Sequence, residues 1–87
     1  MSGARRTPMA PRRLVKRSFS LAGHRTSVAL EREFWAALSE IAAARAQALS
    51  VLVETTDAAR EPGQPLASAL RILALLAFFR PLSSGDR

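Results

Sequence analysis

The chain has 87 residues, with 13 Lys and Arg against 7 Asp and Glu, a formal net charge of +6, one His and no Cys. A chain this short forms one small domain at most, and it buries only roughly 60–65% of its unfolded surface. It has no Cys for a disulfide and too few ligands for a structural zinc site, so self-association is the remaining way to enlarge the core. A catalytic pocket needs several convergent polar groups, so the composition disfavours an enzyme, and we assign no catalytic residue, metal or cofactor.

The positive charge is concentrated at the N-terminus. The first 17 residues contain no acid, and their cations are Arg5, Arg6, Arg12, Arg13, Lys16 and Arg17. Pro8, Pro11 and the lack of apolar periodicity before Leu14 predict that residues 1–16 form a disordered basic arm. The arm has three interpretations: a phosphate-contacting segment, a solubilising tail or a transit peptide. It has no apolar h-region, which excludes a secretory signal.

An alternating pattern after the arm predicts a β-strand. Phe19 and Leu21 share one face, and Thr26, Val28 and Leu30 share one face. The opposite positions are Ser18, Ser20, Arg25, Ser27 and Ala29. The parity changes at Ala22-Gly23, which indicates a bulge or a short turn. We therefore predict one short strand, at about residues 25–30.

Two helices are predicted next. In the first, a helical stripe contains Phe34, Trp35, Leu38, Ile41, Ala42 and Arg45. Glu31 and Glu33 fall in its first turn, which the helix dipole favours. The second helix, VLVETTDAAR, has Ser50 as its predicted N-cap and stops before Glu61-Pro62-Gly63. Asp57 and Arg60 lie one turn apart in it and can form a surface ion pair.

A third helix is predicted over residues 66–79, with Pro81 ending it. Leu66, Leu70, Leu73 and Ala77 repeat along one face, and further apolar residues extend that face almost to a full circle. At this length the helix is too short to span a bilayer, and Arg71 interrupts its apolar run. A buried or partner-covered helix is therefore favoured over a membrane segment.

A single strand leaves its backbone donors and acceptors without a partner in the same chain. A two-fold dimer solves this, because the strand can pair antiparallel with its own copy. The exposed face of that ribbon would carry Arg25, Ser27 and Ala29 from both chains. A two-stranded ribbon of this kind fits the major groove of DNA.

An ordered set of motifs between about Lys16 and Phe79 carries a family resemblance. The set is Gly23-His24-Arg25-Thr26-Ser27, Leu30-Glu31, Phe34-Trp35, Leu38, Ile41-Ala42, Leu49-Ser50, Leu52-Val53, Asp57-Ala58-Ala59-Arg60 and Ser68-Ala69-Leu70-Arg71. It resembles a bacterial branch of the ribbon-helix-helix family. The resemblance implies an obligate homodimer that binds operator DNA through its ribbon, as a transcriptional repressor or an antitoxin, without a cofactor.

The resemblance also implies roles for individual residues. Those expected to contact bases are Arg25, Ser27 and Ala29. Those expected to contact phosphates are Ser50 and Val51 at the start of the second helix, where the amides of Val51 and Leu52 would bind, together with Arg12, Arg13, Lys16 and Arg17. The expected dimer core is Val28, Leu30, Phe34, Trp35, Leu38, Ile41, Leu49, Leu52 and Val53.

We therefore expect a mainly α protein with one short strand, an intermolecular two-stranded ribbon and an extra C-terminal helix. Residues 1–16 would form the arm, 17–80 the domain and 81–87 a tail. The expected function is sequence-specific binding of double-stranded DNA by a transcriptional repressor on the nucleoid, in the bacterial cytoplasm and away from membranes. The alternative is an antitoxin-like interaction module whose apolar C-terminal helix binds a protein partner.

Overall fold

The computed structural model describes residues 13–84 of the chain. Two strands come first, β1 (Leu14–Leu21) and β2 (His24–Glu31). Three helices follow: α1 (Arg32–Ala44), α2 (Leu49–Ala59) and α3 (Leu66–Ser84). Most of the predicted basic arm lies outside the described residues. Its last three positions, 14–16, belong to β1, so the predicted boundary at residue 16 is too late.

The N-terminal part of the domain is a β-hairpin. β1 pairs antiparallel with β2 in a register that runs from Leu14 opposite Glu31 to Leu21 opposite His24. The prediction of one short strand is therefore wrong, because the chain has two strands of eight residues each. Since β1 pairs with β2 inside the chain, β2 does not need a second copy for this purpose. The premise of the expected intermolecular ribbon is removed.

The turn of the hairpin explains the parity change in the sequence. Ala22 has a φ of 52° and Gly23 a φ of 81°. Positive φ at both central residues is typical of a type I′ turn, the common two-residue hairpin connection. Such a turn places Leu21 directly opposite His24, so two residues are skipped and the apolar face continues across the strands. Alanine adopts this left-handed conformation at a cost of about 1–2 kcal/mol.

The core lies between one face of the hairpin and the three helices. Its buried residues are Phe19, Leu21, Val28, Leu30, Trp35, Leu38, Ala42, Leu52, Val53, Leu70 and Ala74. Every residue predicted for a dimer core either belongs to this set or, for Phe34, Ile41 and Leu49, packs against it partly buried. In the structure these residues therefore build the core of a single chain.

The turn between α1 and α2 differs from its predicted form. Ala46 has a φ of 55°, and the amides of Ala46 and Gln47 donate to the carbonyls of Ala43 (3.0 Å) and Ala42 (2.9 Å). This is the Schellman pattern that ends a helix. The N-cap of α2 is then Ala48, without a side-chain cap hydrogen bond. The prediction of Ser50 as the N-cap is therefore wrong, because the turn closes two residues earlier.

Helix α3 extends past its predicted end and runs through Pro81 to Ser84. Proline lacks the amide that would bond to the carbonyl of Ala77, so one helical hydrogen bond is lost close to the helix end. The predicted inner face is confirmed: Leu70 is buried, and Leu66 and Leu73 pack partly buried against the core.

Among the described helices, none is by itself long and apolar enough to cross a membrane. Helices α1 and α2 would meet the requirement only together, and they meet at a bend of 99°.

Candidate nucleic-acid interface

One face of the hairpin points away from the helices. The register places Ser20 opposite Arg25, Ser18 opposite Ser27, and Lys16 opposite Ala29. These side chains alternate with the buried ones, so all six lie on one side of the sheet. All are exposed except Ala29, which is half-buried. We call this surface the outer sheet face, and its residues are Lys16, Ser18, Ser20, Arg25, Ser27 and Ala29.

The outer sheet face combines two cations with hydroxyl groups. Arg25 lies near the turn, while Lys16 lies opposite Ala29, about 13 Å further along β2 at the usual strand rise. Between them the hydroxyls of Ser18 and Ser27 form a hydrogen bond of 3.0 Å. None of the six residues is acidic. A flat surface with spaced cations and hydroxyls can bind phosphate oxygens and the hydrogen-bonding edges of bases.

The predicted phosphate-contacting residues do not all lie together. Lys16 is on the outer sheet face, and Arg13 is exposed immediately before β1. Arg17 is on the opposite side of the hairpin, where its guanidinium lies 5.2 Å from the centre of the Trp35 ring. Arg12 lies outside the described residues. The structure thus groups Lys16 with the base-contact candidates and separates Arg17 from them.

The predicted anchor at the start of α2 is shifted along the chain. The amides of Val51 and Leu52 already donate to the carbonyl of Ala48, at 3.1 and 3.2 Å. Within the described part of the chain, no hydrogen bond is recorded for the amides of Leu49 and Ser50. The unpaired donors of this helix end therefore belong to its first two residues, as expected for an N-terminus. Ser50 and Val51 remain exposed.

An ion pair missed by the sequence analysis lies at the end of β2. The Nε and Nη2 atoms of Arg71 donate to Oε1 of Glu31 at 3.1 and 3.0 Å, and the guanidinium lies 5.7 Å from the Phe34 ring centre. A hydrogen bond from its own backbone amide, and then the one from Arg71, lower the pKa of the Glu31 carboxyl. Arg71 therefore neutralises the carboxylate next to the outer sheet face. The only signal for this in the sequence was an isolated cation in an apolar helix.

The described residues contain no group of three or more His, Cys, Asp or Glu that could hold a metal ion. His24 is exposed at the turn end of β2, opposite Leu21.

The profile of the Ribbon-helix-helix domain matches residues 14–78 of the chain. This range begins with β1, includes β2, α1 and α2, and covers most of α3. The chain belongs to the ribbon-helix-helix family. Membership implies DNA binding and transcription regulation, and it agrees with an outer sheet face rich in cations and hydroxyls. No curated protein and no solved structure matches the chain. As a ribbon-helix-helix domain, the matched region includes β1 and most of α3, so neither stands outside it as an arm or an appendage.

Proposed function

We propose that this protein is a sequence-specific DNA-binding repressor that works as a homodimer and places its outer sheet face in the major groove. The observation that carries the proposal is the hairpin register, which sets Arg25, Ser27 and Ala29 beside Lys16 and two serines. The helices pack against the other side of the sheet, so nothing in the described chain covers this side. A regulator of this kind acts on the nucleoid in the bacterial cytoplasm and requires no cofactor.

The hairpin of one chain is the proposed reading element. The major groove is about 12 Å wide and admits a two-stranded ribbon. Pairing β2 with its copy in a second chain would instead form a sheet of four strands, whose outer strands lie about 14 Å apart at the usual strand spacing. That sheet is wider than the groove. The chain's own β1 and β2 therefore replace the intermolecular ribbon expected from the sequence.

The residues have distinct proposed roles. Arg25 donates to O6 and N7 of guanine, Ser27 bonds to a base edge, and Ala29 contacts a thymine methyl group, each contact discriminating by about 1–3 kcal/mol. Lys16 and the arm residues Arg12 and Arg13 bind phosphates. The exposed start of α2, at Ser50 and Val51, supplies a further phosphate contact through its unpaired first-turn amides. Arg17 is held on Trp35, so it adds to the long-range attraction of DNA.

The test begins with selection of duplexes from a random library at physiological salt, because low salt lets any cationic protein retain any duplex. Binding of the enriched duplex and of a scrambled duplex is then measured by fluorescence anisotropy. Arg25→Ala should reduce the ratio of the two affinities by about 5- to 150-fold. Arg45→Ala is the matched control, because it removes the same charge from an exposed position at the C-cap of α1.

The outcome decides among three functions. An enriched site, together with a selective loss in Arg25→Ala, supports the repressor. An equal loss in both variants, or retention without enrichment, would indicate a protein that coats DNA without reading it. The absence of retention would favour the second candidate function, an antitoxin-like module that binds a protein through α3. That alternative is favoured by one observation, the large apolar side chains that α3 exposes.

A further inference from the structure

Helix α3 has apolar residues on two opposite sides. One side, with Leu70 and Ala74, is buried in the core. On the other side Ile72 is 47% exposed, Leu75 52%, Leu76 60% and Phe79 55%. These four residues follow the i, i+3, i+4, i+7 spacing of a single helix face. We call them the α3 outer stripe.

The α3 outer stripe has no function inside the chain. Residues 72–79 contain no charged or polar side chain, and the neighbouring Phe78 is the most exposed large apolar residue of the group, at 76%. Together these side chains expose roughly 600 Å² of apolar surface per chain, which is at the upper limit for a monomeric protein. A surface of this size and composition indicates a protein interface.

We infer that a second copy of this chain covers the α3 outer stripe, with the two α3 helices packed antiparallel about a two-fold axis. Antiparallel packing brings identical apolar stripes together, as an isologous interface requires. An open groove adjoins the stripe, and Ile72 and Leu76 form its shared wall. Thr55, Ala59 and Ala69 also line the groove. These small residues leave space for the projecting phenylalanines of the second copy.

The charges beside the stripe do not call for a charged partner. Arg60 lines the same groove, but its Nε donates to Asp57 at 2.8 Å and its Nη1 to the carbonyl of Gln64 at 2.7 Å. The main cation at this end of the groove is thus already paired within the chain. An uncharged stripe fits a second uncharged stripe better than it fits an acidic or basic partner.

The buried area is sufficient for a dimer. Two copies would bury roughly 1,200 Å² of accessible surface, the lower bound for a specific and stable interface. The hairpin does not compete for this role, because β1 already pairs with β2 in the same chain. The inference rests on the proposed function only for the homodimer, and it names the interface. In this dimer each chain keeps a complete ribbon, so an operator would have two separate half-sites.

The test measures the oligomeric state of the full chain without DNA, so that its failure is separate from a failure of DNA binding. Sedimentation equilibrium should show a dimer at micromolar concentration. Leu76→Glu should raise the dissociation constant at least 100-fold, whereas Ala36→Glu on the exposed side of α1 should leave it unchanged. Far-UV circular dichroism and Trp35 fluorescence identify any variant that has simply failed to fold. A wild-type chain that remains monomeric would overturn the inference and leave the stripe to another protein.

A second measurement uses the absence of Cys from the chain. Leu75→Cys places a thiol on the α3 outer stripe, and Ser27→Cys places one in the middle of the outer sheet face. Mild oxidation should produce a covalent dimer from Leu75→Cys in high yield and little from Ser27→Cys. The reverse result would show that the hairpins meet in the dimer, and it would overturn the inference even if Leu76→Glu were misfolded.

Discussion

The indole N–H of Trp35 donates a hydrogen bond of 2.8 Å to the carbonyl oxygen of Val15, which lies twenty residues earlier in the chain. The indole ring also packs 5.9 Å from the ring of Phe19 and lies beneath the guanidinium of Arg17. One buried side chain of α1 therefore contacts β1 at three positions. This explains how β1 is held against the helices although only Phe19 and Leu21 of its residues are buried.

Replacing Trp35 with Phe keeps an aromatic ring in the core but removes the donor to Val15. The loss of a partly buried hydrogen bond and of some packing should lower the free energy of unfolding by about 1–3 kcal/mol. Urea unfolding followed by circular dichroism measures this change. Arg17→Gln is the control for the cation above the ring, and it should cost about 0.5–1 kcal/mol. If the two variants were equally stable, the hydrogen bond to Val15 would not be what holds β1.

The helices were predictable from the sequence because their apolar spacing is strong. Periodicity placed α1 and α2 within a few residues of their observed bounds, and the ion pair between Asp57 and Arg60 is confirmed at 2.8 Å. β1 was not predictable in the same way. Lys16 and Arg17 interrupt its apolar pattern, and its contact with Trp35 involves residues too far apart in sequence for any local signal.

Ala22 is the position where the hairpin turn is least suited to its residue. Its φ of 52° is rarely adopted by alanine, whereas asparagine tolerates it and Asn-Gly is the preferred type I′ pair. Ala22→Asn should therefore raise the free energy of unfolding by about 0.5–1 kcal/mol. Thermal or urea unfolding measures the gain. Ala36→Asn, on an exposed helical position, should lower stability by a similar amount, because asparagine is a poorer helix former than alanine. A loss of stability in Ala22→Asn would contradict the assigned turn.

The ion pair between Glu31 and Arg71 should make stability depend on pH. The pKa of the Glu31 carboxyl is lowered from its usual value of 4.5, first by its own backbone amide and then by Arg71. A lowered pKa stabilises the folded chain above that usual value, and the contribution is lost as the pH falls through the folded-state pKa. Wild type should therefore exceed Glu31→Gln in stability at neutral pH, and the difference should shrink below about pH 4.5.

Urea midpoints across the acid range measure that difference. Arg71→Met is the informative companion, because it removes the second cause of the shift and leaves the first. It should abolish part of the pH dependence and no more. A difference between wild type and Glu31→Gln that stayed constant down to pH 3 would show that the ion pair does not couple protonation to folding.

The site was predictable in part. Alternation along β2 correctly placed Arg25, Ser27 and Ala29 on the side opposite Val28 and Leu30, because a strand with one buried face must expose the other. Their contact with bases stays a proposal. What the pattern could not give is the position of the α2 start. That position depends on Ala46 adopting a left-handed conformation that alanine seldom takes.

The basic arm should contribute to DNA affinity through phosphates and not through sequence. If half of the six cations in residues 1–17 engage DNA in each chain, a dimer makes about six contacts, and the plot of log affinity against log salt has a slope near −5. Removal of residues 1–12 deletes three of these cations, Arg5, Arg6 and Arg12. The slope should then become about −2.7. Specific and scrambled duplexes should weaken alike, because phosphates carry no sequence information.

Charge can be separated from chain length in the same measurement. Replacing Arg5, Arg6 and Arg12 with Gln should reproduce the effect of the deletion on the slope, whereas replacing them with Lys should preserve the wild-type slope. Because counterion release depends on the number of cations engaged, the three forms give a direct count of the arm's contacts. An unchanged slope after the deletion would leave the arm as a solubilising tail or a transit peptide. It would also assign the salt dependence to Lys16, Arg25 and the start of α2.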